Sequence, residues 1–98
     1  NIIKNSVDAI SNNRNGEILI TINIYSDNYL YIDIQDNGKG ISRKNRKNIF
    51  KPGFSSKKRG WGLGLSLTKR IVEEIHLGKV WLLQSHNNKT IMRTILPL

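Results

Sequence analysis

The most informative segment of the chain is Gly60-Trp-Gly-Leu-Gly-Leu-Ser-Leu-Thr-Lys-Arg-Ile-Val-Glu-Glu-Ile-His76. Glycines occupy alternate positions at its start, and a helical pattern follows directly, ending near Gly78. On a helical wheel the apolar residues lie opposite the charged ones, namely Leu65, Leu67, Ile71, Val72 and Ile75 opposite Lys69, Arg70, Glu73 and Glu74. A glycine run before a helix leaves backbone N–H groups free at the positive end of the helix dipole, so the segment predicts an anion site, most often for phosphate.

This glycine pattern differs from the two best-known phosphate loops. It lacks the Gly-Lys-Ser/Thr ending of a P-loop, and no strand precedes it with an acidic residue at the distance that dinucleotide-binding folds use. Glycines before a helix can also form a plain loop. The motif alone therefore leaves a phosphate site and a simple connection both open, and the upstream sequence has to decide.

Composition limits the class of protein. The 98 residues fit one small domain, and 38% hydrophobic residues in periodic patterns indicate a folded chain. There is no cysteine, which excludes disulfides and thiolate metal sites, and no apolar run reaches the about 20 residues that a membrane span needs. The chain starts at Asn1, inside a helical pattern, so we expect a piece of a larger protein.

The net charge of +9 is unevenly distributed. Nine of the 16 basic residues lie between Lys39 and Arg59, and no Asp or Glu occurs from Asn37 to Val72. A basic block is often only a solvated surface. Here it directly precedes the glycine–helix segment, which favours a phosphorylated ligand or an acidic partner surface.

The first residues predict a helix over 1–12, with Ile3, Val7 and Ile10 facing the core. A second, polar stripe runs beside this one and contains Asn1, Asn5, Asp8 and Asn12. Asparagine is a mediocre helix former, so aligned asparagines indicate either a solvated edge or a use. One use is to supply oxygen ligands to a hard cation such as Mg²⁺, which completes its shell with phosphate and water.

Two alternating segments predict an antiparallel hairpin over 17–24 and 29–35, with Ile18, Ile20, Ile22 and Ile24 half-buried. The second strand runs into Asp36-Asn-Gly-Lys-Gly40, which is either a turn or a ligand loop. A buried carboxylate such as Asp36 needs hydrogen-bond donors, and the exocyclic amine of adenine is one such donor.

The long connection over 42–61 is basic, with Phe50 and Phe54 as anchors, and predicts a lid over a ligand. Strands are predicted over 79–84 and 90–98, with a polar turn between them. His76 and His86 have no companions at metal-ligand spacing, so both are interpreted as structural.

Taken in order, these motifs resemble the ATP-binding catalytic domain of sensor histidine kinases, within the Bergerat-fold (GHKL) superfamily of gyrase, heat-shock chaperone, histidine kinase and MutL ATPases. Residues 1–10 resemble the N box, 36–40 the G1 box, 49–54 the F box and 60–65 the G2 box. The resemblance covers nearly the whole chain. It implies an α+β fold, a two-layer α/β sandwich with a mixed sheet covered on one face by helices, in a single domain over 1–98 that lacks its N-terminal strand and helix.

The resemblance also implies the roles of individual residues, with ATP and Mg²⁺ as cofactors. Asn5 would hold Mg²⁺ with Asn1 nearby, and Asp36 would bond the adenine amino group, with Gly38 and Gly40 letting the base lie close. Lys57 would meet the terminal phosphate, so Asn5 and Lys57 are the predicted catalytic residues. The remaining predicted nucleotide contacts are Ile41, Gly60, Gly62, Leu63, Gly64 and Leu65.

Two departures from the family pattern are visible. Many histidine kinases carry a basic residue three positions after the Mg²⁺ asparagine, where this chain has Asp8. The strand and helix that normally precede the N box are also absent from the sequence, so we expect an incomplete sheet and helical layer and reduced stability.

Two other functions compete with the kinase. ATPases of the superfamily place a Glu four residues before the Mg²⁺ asparagine to activate water, but here Asn1 stands there and cannot accept a proton. A basic nucleic-acid-binding module would need aromatics interleaved with Lys and Arg, and the basic block contains only Phe50 and Phe54. The kinase is favoured over both.

The expected reaction is transfer of the ATP γ-phosphate to a histidine on a separate dimerisation domain of the same protein, with a response regulator as the indirect partner. Neither His76 nor His86 is that histidine, so the chain alone should bind Mg·ATP and phosphorylate nothing. We expect no nucleic acid partner and no membrane contact by this domain, and a cytoplasmic location, whether or not the parent protein is membrane-anchored.

Overall fold

Two β-hairpins form the sheet in the computed structural model, which describes residues 1–54 and 64–98. The first joins β1 (Ile18–Ser26) to β2 (Tyr29–Asp36), and the second joins β3 (Lys79–His86) to β4 (Lys89–Pro97). Asn87 and Asn88 connect the second hairpin with φ angles of 51° and 58°. These left-handed angles suit a two-residue hairpin turn, and asparagine tolerates them better than most residues do. The predicted first hairpin is confirmed, and so are the two later strands with a polar turn between them.

The strand order is β1-β2-β4-β3, and every pairing among the described strands is antiparallel. The predicted two-layer α/β arrangement is confirmed, but the prediction of a mixed sheet is wrong for these strands. β2 and β3 do run in the same direction, and a helix connects them. β4, the second strand of the second hairpin, lies between β2 and β3, so β2 and β3 do not pair with each other.

Two helices cover one face of this sheet. They are α1 (Ile2–Ala9) and α2 (Gly64–Lys69), which continues as a π-helical segment, Arg70–Ile75. Between β2 and α2 the only regular element in the described part of the chain is a short 3₁₀ turn, Arg43–Asn45. The core between the layers contains Ile49, Val72, Val80 and Met92, and Ile2 and Leu65 pack against it from the two helices.

The face of α1 that packs on the sheet differs from the predicted one. Ser6 is buried and Ile2 packs on the core, whereas Ile3 and Val7 are exposed. The apolar stripe is wide, and its packing direction is set by tertiary neighbours rather than by the stripe itself.

The helix over 64–75 differs from its predicted pattern in the same way. Val72 is buried and Leu65 is half-buried, but Leu67, Ile71 and Ile75 are exposed. The π-helical hydrogen bonding adds residues to each turn, as in the bond from the backbone N–H of His76 to the carbonyl of Ile71 (3.1 Å). Five apolar positions therefore do not stay on one side of the helix.

Ile18 is half-buried as predicted, but the rest of the isoleucine face of β1 is exposed, which contradicts the prediction of a half-buried strand. Ile20, Ile22 and Ile24 have 47%, 64% and 60% of their surface exposed. β1 is an edge strand, α1 packs on β2, and the second helix packs on β3. The described helices therefore leave this end of the sheet uncovered.

The opposite face of the sheet carries a cross-strand ion pair. Arg93 on β4 donates two hydrogen bonds of 2.7 Å to the carboxylate of Asp33 on β2. The Arg93 guanidinium carbon also lies 4.4 Å from the centroid of the Tyr31 ring. The hydrogen bond to Asp33 raises the pKa of Arg93 above its usual value, because it favours the charged guanidinium. None of the helices in the described residues has the length and apolarity that a membrane span requires.

Candidate functional site

Asp36 lies at the end of β2 with only 5% of its surface exposed. One carboxylate oxygen, Oδ1, accepts a hydrogen bond of 3.0 Å from the backbone N–H of Gly38. Within the part of the chain that the structure describes, the other oxygen has no protein donor. Because burying a carboxylate is costly without donors, this oxygen is suited to a ligand that supplies an N–H group.

The loop after Asp36 is fixed against the C-terminal end of α1. The backbone N–H of Lys39 donates to the carbonyl oxygen of Ala9 at 3.2 Å. A Cβ atom on Gly38 would lie 2.6 Å from the carbonyl carbon and 2.8 Å from the Cβ of Ala9. The structure therefore gives a glycine at position 38 a reason that the sequence did not show, which is close packing on α1.

The second glycine of the loop has a conformational requirement. Gly40 has a φ of +77°, which residues with a side chain rarely adopt. The backbone N–H of the next residue, Ile41, donates to the Ser85 hydroxyl at 2.9 Å. The side chain of Ile41 packs against the core.

A buried polar pair beneath the loop was missed by the sequence reasoning. The hydroxyls of Ser85 and Thr90 are 2.9 Å apart, and Thr90 is the cross-strand neighbour of Asp36. Arg46 donates to the backbone carbonyls of Ile41 and Ser85, which ties the chain after the loop to β3. The predicted strand ended at residue 84, so Ser85 was assigned to a turn, whereas the structure makes it the cross-strand partner of Thr90.

The N-terminal end of α1 contacts the start of α2. The Asn1 side-chain amide donates to the carbonyl oxygen of Gly64 at 3.0 Å, and the Thr68 hydroxyl donates to the same oxygen at 2.9 Å. Asn5 lies one turn further along α1 and is half-buried. α1 therefore joins the Asp36 loop at one end and the start of α2 at the other, with Asn5 between them.

The connection after the loop is attached to the core as predicted. Ile49 is buried, and Phe50 and Phe54 pack against the same hydrophobic cluster. The ammonium group of Lys69 on α2 lies 5.4 Å from the centroid of the Phe50 ring. The anchoring role predicted for both phenylalanines is confirmed.

Four predicted site residues, Lys57, Gly60, Gly62 and Leu63, lie outside the described residues. Gly64 begins α2 next to Asn1, and Leu65 packs against the core.

The described residues contain no cluster of three His, Cys, Asp or Glu side chains that could hold a metal ion. Amide oxygens can also bind a divalent cation when the ligand supplies further oxygens. The carboxamides of Asn1 and Asn5 fit that chemistry, because Mg²⁺ is commonly held by few protein oxygens, phosphate and water.

Comparison with known proteins places these motifs in a family. The family described as "Histidine kinase-, DNA gyrase B-, and HSP90-like ATPase" matches residues 1–98. Sporulation kinase E of Bacillus subtilis (strain 168) is 30% identical over all of this chain and 13% of its own length. The signal transduction histidine-protein kinase AtoS of Escherichia coli (strain K12) is 40% identical over all of this chain and 16% of its own length. The chain thus spans a small part of these relatives.

Solved structures show the same fold. The nucleotide-free catalytic domain of histidine kinase ThkA matches with a TM-score of 0.83 at 28% identity, over 98% of this chain and 61% of that one. The structure of ThkA in complex with the response regulator protein TrrA matches with a TM-score of 0.74 at 26% identity, over 99% of this chain and 26% of that one.

Proposed function

The chain belongs to the family of histidine kinase-, DNA gyrase B- and HSP90-like ATPases, and on that premise we propose that it is the ATP-binding catalytic domain of a sensor histidine kinase. It binds Mg·ATP and donates the γ-phosphate to a histidine on a separate dimerisation domain of the same protein. The single observation that carries this proposal is the buried carboxylate of Asp36, in which one oxygen is held by its own loop and the other has no protein donor among residues 1–54 and 64–98.

The adenine amino group is the donor proposed for that free oxygen. The other oxygen is fixed by the backbone N–H of Gly38, so the carboxylate is oriented before the ligand arrives. Preorganisation of this kind increases affinity because less freedom is lost on binding. Thr90 pairs with Asp36 across the sheet, and its hydroxyl lies 2.9 Å from the hydroxyl of Ser85.

Phosphate and metal binding are assigned to the two helix starts. Asn5, with Asn1 nearby, would hold the Mg²⁺ ion, and the backbone around Gly62 and Gly64 would receive the phosphates. The contact between Asn1 and Gly64 supports this assignment, because it brings the N-terminal ends of α1 and α2 together. Lys57 is proposed to meet the terminal phosphate. When bound, the cation neutralises charge on the phosphoryl oxygens.

Phosphoryl transfer is favoured over direct ATP hydrolysis by the nature of Asn1. A water-activating base must accept a proton, and a carboxamide cannot do so. The Asn1 amide is moreover engaged as a donor to the carbonyl of Gly64, which is a structural use of this side chain. A kinase that transfers phosphate to another domain needs no such base at this position.

The proposed partners follow from this reaction. The acceptor is the dimerisation domain, and a response regulator receives the phosphate from that domain in turn. The related kinase ThkA has been solved in complex with a response regulator, which supports this assignment. We place the domain in the cytoplasm, without membrane or nucleic acid contacts of its own.

The exposed isoleucines of β1 support the proposal that the complete domain includes a preceding strand and helix. Ile20, Ile22 and Ile24 form an exposed apolar row on an edge strand, which is uncommon on the solvent-facing surface of a complete domain. Additional elements packed there would cover the row and stabilise the fold.

Titration of a fluorescent ATP analogue tests the proposed function. In Asp36→Asn the side-chain oxygen can still accept the Gly38 N–H, but the side-chain NH₂ then faces the adenine amine, and two donors cannot bond each other. The affinity for the ATP analogue should therefore fall about ten- to a hundredfold. Asp27→Asn, in the exposed turn between β1 and β2, is the matched control and should bind like the wild type. Omission of Mg²⁺ should weaken wild-type binding. Equal affinity of Asp36→Asn and wild type, or no binding by the wild type, would refute the proposal.

A further inference from the structure

Asn37 connects the Asp36 loop to the turn that precedes β1. Its side-chain oxygen accepts a hydrogen bond of 2.8 Å from the backbone N–H of Glu17, and its side-chain nitrogen donates to the carbonyl of Asn15 at 2.8 Å. In return, the side chain of Asn13 donates to the backbone carbonyl of Asn37 at 3.2 Å. The carboxamide of Asn37 thus uses both its donor and its acceptor on backbone groups about 20 residues away in sequence.

The turn that receives these bonds is itself well fixed. The backbone N–H of Asn13 donates to the carbonyl of Ile10 at 2.9 Å, at the C-terminal end of α1. The Asn13 side-chain oxygen accepts the N–H of Asn15 at 2.9 Å. A Cβ atom on Gly16 would lie 2.8 Å from the Cβ of Ile10, so the turn packs closely on the helix end. Asn37 therefore attaches its loop to an anchored segment.

Asn37 lies between Asp36, which carries the carboxylate of the site, and Gly38, whose N–H orients that carboxylate. The bond from the Gly38 N–H to Asp36 forms only when the backbone at Asn37 holds the observed turn. The side chain of Asn37 restrains that backbone through the turn before β1, while Ala9 at the end of α1 contacts Gly38 and Lys39 directly.

We propose that Asn37 is a positioning residue for adenine recognition, acting through Asp36 and without contact to the nucleotide. This inference rests on the proposed function. Loss of the Asn37 side chain leaves the Asp36 loop in its binding conformation for a smaller fraction of the time. The apparent affinity for an adenine nucleotide falls in proportion to the fraction of molecules in the binding conformation.

Competition binding with ATP on Asn37→Ala and Asn37→Asp tests the inference. Asn37→Ala removes two hydrogen bonds and should weaken ATP binding about tenfold. Asn37→Asp keeps the acceptor for Glu17 but loses the donor to Asn15, so about threefold is expected. Asn23→Ala, whose side chain bonds only the adjacent backbone N–H of Ile24 in the described residues, is the matched control and should leave affinity unchanged.

A double-mutant cycle with Asp36→Asn separates positioning from general destabilisation. If Asn37 acts through Asp36, Asn37→Ala should change ATP affinity less than about twofold once Asp36 is already replaced. A merely structural role would produce the same fold-change in both backgrounds. Circular dichroism melts ensure that each variant is folded at the assay temperature.

The outcomes separate this inference from the proposed function. The positioning role alone would be overturned if Asp36→Asn weakened ATP binding as expected while Asn37→Ala left the affinity unchanged. It would also be overturned if the effects of the two substitutions on affinity were additive. Failure of the wild-type protein to bind ATP, or an unchanged affinity in Asp36→Asn, would overturn the proposed function and the positioning role with it.

Discussion

Gly38→Ala is the substitution that most directly tests how the site is assembled. The added methyl group would lie 2.6 Å from the Ala9 carbonyl carbon and 2.8 Å from its Cβ, and it would collide with the carbonyl oxygen. Two of these three atoms belong to the backbone of α1, so no rotamer change relieves the contact. The loop must move away from α1, which breaks the 3.2 Å hydrogen bond from Lys39 to Ala9.

The expected cost combines two effects. Overpacking of this kind costs about 1–3 kcal/mol, and loss of one hydrogen bond costs about 0.5–1.5 kcal/mol. We therefore expect Gly38→Ala to lower the free energy of unfolding by about 2–4 kcal/mol. Small domains are stable by about 5–15 kcal/mol, so this loss should be obvious in a denaturation curve. Displacement of the Gly38 N–H from Asp36 should also weaken ATP binding.

Urea unfolding followed by circular dichroism measures the stability, with Gly64→Ala as the matched control. Among the described residues, the atom nearest to a Cβ on Gly64 is Cγ of Asn1 at 3.7 Å, which is ordinary contact. Because alanine favours helix over glycine, the control should be unchanged or more stable by up to about 1 kcal/mol. If Gly38→Ala were as stable as the control, the close packing of the loop on α1 would not hold in solution.

Two further predictions concern the sheet and the core. Replacement of Arg93 by Met leaves the half-buried Asp33 without its bidentate partner and should lower the free energy of unfolding by about 1–3 kcal/mol; an unchanged urea midpoint would contradict the role given to this pair. Ile49→Ala removes a side chain that is 7% exposed and should cost about 2–5 kcal/mol. Ile22→Ala, at 64% exposed, should change stability by about 0.5 kcal/mol or less, and a larger loss in the same unfolding assay would mean that β1 is covered in solution.

The strands could be predicted because their signal is local. Alternation of apolar and polar residues gave the first hairpin and the two later strands. The turn residues 27–28 and 87–88 lie where turn-forming types interrupt that alternation. The pairing of β2 with β4 could not be obtained in this way, because it joins strands that are about 60 residues apart. No periodicity within either strand specifies which neighbour it takes.

The orientation of the helices was predicted less well, for a related reason. A helical-wheel plot shows which side of α1 is apolar but not which residues on that side pack against the sheet. The structure turns Ser6 inward and leaves Val7 outward. Contacts at the two ends of α1, to Gly64 and to Gly38, are what set this rotation, and both partners are far away in sequence.

For the candidate site as well, local motifs were predicted from the sequence, whereas contacts between residues distant in sequence were not. Motif spacing led to a set of residues that we propose face a ligand, and among them the structure buries Asp36 at the end of β2. Asn37 and Ser85, which bond the loop that follows Asp36 to the rest of the fold, make hydrogen bonds between groups 20 or more residues apart in sequence. Gly38 illustrates the consequence, because the sequence explained it by the approach of a base whereas the structure explains it by the approach of a helix. A motif glycine can thus serve the fold and the ligand at once, and only the geometry around its missing side chain separates the two.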